Sequence, residues 1–192
     1  MTNFNQKLTQ ALTLLTEETQ ITPQQAYHAY LYARDTLHQR WTKAEPYILQ
    51  HLQFALRYAR DVIKGPWPEL EKKIQTKPYD AIEYAELVLQ GRWPQAEPYI
   101  QQDPLAASQY AVDIIKGPWP EAEQIIKTDP IAAHYYALKI LKKRWPQAEE
   151  TIQQDPELWD EYDRTFLKQE RDQKALNQGL LPDEDTWDHY DR

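Results

Sequence analysis

A tryptophan returns every 26 residues, at Trp41, Trp67, Trp93, Trp119 and Trp145. A tyrosine keeps the same step through Tyr32, Tyr58, Tyr84, Tyr110, Tyr136 and Tyr162. A fixed period of this length points to one kind of architecture: a small supersecondary unit, unable to bury its own apolar face, packed against copies of itself. The spacing inside the unit says what it contains. After Lys77 and Pro78 come Ala81, Ile82, Tyr84, Ala85, Val88 and Leu89, which lie on one face of a helix. The same slots hold Ala107, Tyr110, Ala111, Ile114 and Ile115 in the next copy, and Ala133, Tyr136, Ala137, Ile140 and Leu141 in the one after. This first helix should run about 12 residues, or roughly 18 Å. Its openers Asp103-Pro104, Asp129-Pro130 and Asp155-Pro156 place a capping carboxylate before a proline that has no N–H to lose.

Gly65, Gly91 and Gly117 follow the first helix and are three of the chain's four glycines. They are expected to take the left-handed conformation that closes a helix. Gln39 and Lys143 fill this slot in the outer copies, where the turn should be strained or differently shaped. A second helix of about eight residues is predicted to open at each Trp, too short to persist alone. Ile48, Ile74, Ile100, Ile126 and Ile152 supply its apolar stripe, and the indole is its anchor.

Alternate copies are the more alike. Gly-Pro-Trp-Pro-Glu marks Gly65 to Glu69 and Gly117 to Glu121, whereas Arg40, Arg92 and Arg144 precede the Trp in the other copies. The duplicated module is thus two units long, and one edge should carry arginines beside glutamates. The resulting expectation is an all-α chain: an α-solenoid of about five 26-residue helix–turn–helix repeats with capping helices at both ends. Its parts are an N-terminal capping helix over 1–21 with Leu8, Leu12 and Leu15 on one side, the array over 22–156, a C-terminal capping helix over 157–181, and an acidic tail over 182–192.

Composition narrows the function. There is no cysteine, which excludes disulfides and thiolate metal sites. No apolar run approaches the length of a membrane span, and Met1 to Glu18 lacks the basic and apolar regions of a signal peptide. These features predict a cytoplasmic protein. The formal charge is −8, of which Asp183 to Arg192 carry −4 through five acids and one arginine. The mildly acidic repeat body offers no basic stripe for phosphates, so nucleic acid is not an expected partner.

The glutamate four residues after each Trp (Glu45, Glu71, Glu97, Glu123, Glu149) could line up to bind cations or basic peptides. A carboxylate there also suits a helix start, which is the expected role. The periodic Trp and Tyr read as core. The tyrosines off that slot, Tyr27, Tyr30, Tyr47, Tyr79, Tyr99 and Tyr135, are the surface candidates. Tyr47 and Tyr99 share one place in two copies, and an exposed row of aromatics would mark an interface. The five histidines show no metal spacing, and there is no phosphate loop or nucleophile elbow. Neither cofactor nor enzymatic activity is therefore expected. In the tail, Asp183, Glu184 and Asp185 beside Trp187 and Tyr190 could form a short motif in which aromatics anchor and acids steer toward a basic partner.

The run from Tyr110-Ala111 through Ile114-Ile115-Lys116-Gly117-Pro118-Trp119-Pro120-Glu121-Ala122-Glu123 resembles a tandem motif of bacteriophage and other viral proteins, in which Y-A-x-x-V-[IL]-K-G-R-[WF]-P-E-[AG]-E units recur. The resemblance covers about residues 26 to 156. It departs at Lys143, at Thr42 and at the proline before Trp67 and Trp119. It implies a helical array and a phage origin, in the host cytoplasm if viral, and carries over no functional residue. The expected function is a non-catalytic scaffold that binds another protein. Two alternatives stay open: a small acidic viral inhibitor of a host defence enzyme or nuclease, and a small-molecule binder or enzyme with a pocket inside the superhelix.

Overall fold

In a computed structural model the described residues are 22–178, and they form helices with no strand. They divide into two compact units between Ile100 and Gln101. The first contains α1 (Pro23–Tyr32), α2 (Glu45–Ile48), α3 (Leu52–Tyr58), α4 (Pro68–Ile74), α5 (Pro78–Tyr84) and α6 (Glu97–Ile100). The second contains α7 (Pro104–Tyr110), α8 (Pro120–Ile126), α9 (Pro130–Tyr136), α10 (Pro146–Ile152), α11 (Pro156–Tyr162) and α12 (Lys168–Asn177). In both, long and short helices alternate with the 26-residue step. Long helices pack side by side, as α1 does on α3, and α9 on α7 and α11. The capping helix expected over 1–21, with Leu8, Leu12 and Leu15, lies outside the described residues, as does the tail over 182–192.

The expected caps are present. Asp103 and Asp129 accept the backbone N–H groups of Ala106 and Ala132 at 2.9 and 2.8 Å, and Asp155 accepts those of Glu157 and Leu158. Thr22 and Gln25 form a reciprocal capping box at the start of α1. Each long helix then changes pitch. From the residue after the periodic tyrosine, an alanine except at Asp163, five residues wind one position wider (Ala59–Ile63, Ala111–Ile115 and Ala137–Leu141, for example), giving the expected total of about 12. The widening spreads the last side chains around the axis. Val88, Leu89, Ile114, Ile115, Ile140 and Leu141, expected in the core, are therefore half-buried.

The helix end corrects the glycine assignment. The left-handed residue is the one before the glycine slot: His38, Lys64, Gln90, Lys116 and Lys142 have φ between 51° and 61°. Because the last turn is wide, closure falls one residue earlier. The N–H groups of Lys64 and Gly65 both point back to the Ala59 carbonyl, at 2.7 and 3.3 Å. A Cβ added to Gly65 would meet nothing within 4 Å. Gln39 and Lys143 are accordingly under no special demand at that slot.

The second helices are also shorter than expected in two copies. α4, α8 and α10 start at the proline after Trp and run seven residues. α2 and α6 keep only four, because Pro46 and Pro98 lack the N–H that would bond back one turn. Turns led by the Trp41 and Trp93 carbonyls replace the missing helix.

Trp67, Trp93, Trp119 and Trp145 are buried and Trp41 half-buried, with the periodic tyrosines from Tyr58 to Tyr162 fully buried. Alanines close the contacts between neighbouring helices, among them Ala55, Ala81, Ala107 and Ala133. Their small side chains let backbones approach closely enough for one aromatic pair per repeat to fill the remaining space.

Candidate functional site

One arrangement recurs in both units. The Trp41 N–H donates to the Tyr58 hydroxyl at 2.6 Å, and that hydroxyl donates to Glu45 at 3.0 Å. Trp67, Tyr84 and Glu71 repeat it at 2.8 and 2.8 Å. In the second unit it appears as Trp119, Tyr136 and Glu123, and as Trp145, Tyr162 and Glu149. The Trp and Glu belong to one copy and the Tyr to the next, so each clasp joins two repeats. Within each copy the tyrosine ring also tilts against the following indole, as in Tyr58 with Trp67 at 5.3 Å and Tyr136 with Trp145 at 5.3 Å.

In alternate copies an arginine binds the glutamate four residues after the Trp. Arg40 and Arg92 each bind Glu45 and Glu97 through two nitrogens at 2.8 to 2.9 Å, and Arg144 does so with Glu149 at 3.0 Å. The glutamate is largely buried and the arginine half-exposed. Each pair lies within its own copy, five residues apart, and Arg144 also reaches Glu170 of the following copy at 2.9 Å, so this arginine both reinforces the internal anchor and bridges to its neighbour. Burial pushes the Tyr136 and Tyr162 phenols up to about 12, against the donated N–H that would lower them. Tyr58 and Tyr84 are raised by the same cause. A phenol held protonated is a reliable hydrogen-bond donor and a poor nucleophile. Each of Glu45, Glu71, Glu123 and Glu149 thus accepts a hydrogen bond from the tyrosine of the next copy, a role that the period alone did not reveal.

The interface candidates fare differently. Tyr47 and Tyr99 are half-buried, as are Tyr27 and Tyr135, and Tyr79 is exposed. Tyr30 is not a surface residue. It is buried, donates to Asp61 at 2.5 Å and accepts from Arg34 at 2.7 Å. Its slot faces the core at Leu56, Ile82, Ser108 and His134 as well, and here the core position is filled by a phenol with its own polar partners. Asp183, Glu184, Asp185, Trp187 and Tyr190 lie outside the described residues.

His134 occupies the same inward slot in the second unit. Its Nε2 has no hydrogen-bond partner and lies 3.5 Å from a Glu161 oxygen. Burial lowers its pKa, while Glu161 and Asp155 pull the other way. The indole Nε1 atoms of Trp67 and Trp119 are likewise buried without an acceptor, both in copies with proline before the tryptophan. Among the described residues no group of His, Cys, Asp or Glu is arranged to hold a metal ion, and no helix is long and apolar enough to cross a membrane.

Exposure of large apolar groups follows the repeat. Tyr79 (50% exposed), Leu105 (39%) and Ile131 (55%) occupy one slot, the residue after the helix-opening proline. Sequence reasoning singled out Tyr79 alone, because Leu105 and Ile131 follow no aromatic signal. The 26-residue step would have found them. Comparison with protein-family models, with curated proteins and with solved structures finds no match.

Proposed function

We propose that the chain is a non-enzymatic, cytoplasmic scaffold, built as an α-solenoid of 26-residue repeats, whose first-helix face binds another protein. The observation that supports this most is the repeated exposed apolar slot. Among the described residues the large exposed hydrophobics are Tyr79, Leu105, Ile125 and Ile131, and three of the four share one repeat position. Apolar side chains left in water at a fixed period fit a recognition surface better than chance exposure. The groups with chemical potential, the buried Tyr and Glu, are occupied with each other. The resemblance to phage-type tandem repeats agrees with a scaffold and with a viral origin.

The test uses the full chain as bait in an extract of its native host. Leu105→Asp with Ile131→Asp, in the second unit, should leave the circular dichroism spectrum and melting temperature near wild type and abolish capture of the bound protein. An undiminished capture would count against this face as the binding surface.

A further inference from the structure

Repeats make departures visible. In the first unit a cleft of about 200 Å³ is lined by Gln50 and Ile74, which keep residues found in other copies, and by Leu49, Leu52, Leu70, Lys73, Lys77 and Asp80, each of which departs from its slot. Leu49 stands where other copies have Gln75, Gln101, Lys127 and Gln153, and Leu52 stands where they have proline. Leu70 replaces the alanine of Ala44, Ala96, Ala122 and Ala148. Lys73 replaces Tyr47, Tyr99, Ile125 and Thr151. Lys77, like His51 one copy earlier, takes the slot of the capping residues Asp103, Asp129 and Asp155, and α5 accordingly starts without a side-chain cap. Asp80 sits where Phe54, Ala106, Ala132 and Leu158 are apolar. These departures converge on one hollow, and one of them forgoes a stabilising cap.

The chemistry of the lining is specific. Leu70 is buried and Leu49 and Leu52 half-buried, giving an apolar floor, while the exposed Lys73 and Lys77 stand at the rim. Lys73 reaches the Leu49 carbonyl at 3.4 Å, and Lys77 is 3.7 Å from Asp80. These long contacts leave donors on both ammonium groups for a ligand. Two cations face one carboxylate in a protein whose net charge is −8, so the local field runs against that of the whole chain. The hollow is smaller than the roughly 300–1,000 Å³ of a metabolite site. Its size suits a single bulky side chain.

We propose that this cleft docks an acidic peptide segment of a partner protein: one large apolar side chain enters over Leu52 and Leu70, and flanking carboxylates meet Lys73 and Lys77. The proposal rests on the protein-binding reading above and gives that partner its chemistry.

The test titrates the full chain with a fluorescein-labelled hexapeptide carrying one tryptophan between glutamates, read by anisotropy. Saturable binding is expected, weakening with salt. Lys77→Asp restores the repeat's own cap, so it should raise the melting temperature while reducing affinity by about tenfold, and Lys73→Glu should reduce it similarly. A lysine-flanked peptide should not bind. No binding by the wild-type chain, equal binding of the lysine-flanked peptide, or unchanged affinity in Lys73→Glu and Lys77→Asp would each overturn the proposal. If the peptide fails while Leu105→Asp with Ile131→Asp still abolishes partner capture, the cleft assignment falls and the scaffold reading stands.

Discussion

The Tyr136 hydroxyl accepts the backbone N–H of Trp119, seventeen residues earlier, at 2.7 Å, and donates to Glu123 at 3.0 Å. One oxygen atom thereby fastens the start of a short helix in one copy to a long helix in the next. The N–H it satisfies would otherwise be a buried orphan at the helix start.

Removing that oxygen isolates its contribution. Tyr136→Phe keeps the ring contact with Trp145 and leaves the Trp119 N–H and the Glu123 carboxylate short of a partner. The expected loss is about 1–3 kcal/mol in urea denaturation. Trp119→Ala, which also removes a buried indole, should cost more, about 3–5 kcal/mol. An indistinguishable midpoint for Tyr136→Phe would mean that the clasp adds no stability.

Helix closure offers a test in which two adjacent residues should behave in opposite ways. Lys116 has φ 56°, a conformation that costs a side-chain-bearing residue about 1–2 kcal/mol. Lys116→Gly should therefore stabilise by about 0.5–1 kcal/mol after the entropy lost in the unfolded chain is subtracted. Gly117→Ala should be neutral or slightly stabilising, since its Cβ would meet only the Ile115 carbonyl oxygen at 4.0 Å. Thermal melts of the two variants decide this. A large destabilisation by Gly117→Ala would restore the glycine to the left-handed position.

Alkaline pH acts through the same phenols. An unfolded tyrosine titrates at 10.0, whereas burial holds Tyr136 and Tyr162 near 12. The folded state keeps its proton longer. The stabilisation is complete below pH 10 and is lost as pH rises toward 12. Denaturation midpoints measured from pH 8 to 12 should fall steeply above 10. The Tyr136→Phe variant should show a shallower fall, and parallel profiles would separate alkaline unfolding from this residue.

The caps supply a matched pair. Asp129→Ala removes an acceptor 2.8 Å from the Ala132 N–H, and should cost about 1 kcal/mol. Lys77→Asp introduces the carboxylate that the later copies use and should gain a similar amount. Equilibrium denaturation of both variants should give shifts of opposite sign. Destabilisation by Lys77→Asp would show that the lysine serves the fold itself.

Much of the architecture was legible in the primary structure because periodicity survives any detail of packing. The positions of Tyr84 and Trp93 in their copies, the Asp-Pro starts and the division into long and short helices all follow from spacing and from local backbone chemistry. Pro46 and Pro98 were just as visible, and their effect on α2 and α6 is local, so the shortening of those helices could have been anticipated. The wide turn could not. It depends on how the helix after each periodic tyrosine settles against its neighbours, and it moved the left-handed residue from Gly65 to Lys64.

The sequence by itself determined the repeat, its helical content and the burial of its aromatic pair, since a unit this small has no other way to remove that surface from water. Only the tertiary structure decided which atoms the glutamates meet, that Tyr30 turns inward to Asp61, and that Leu49, Leu70 and Lys77 share one hollow. Those relationships join residues far apart in the chain, and their energies depend on distance and burial, which spacing along a sequence does not encode.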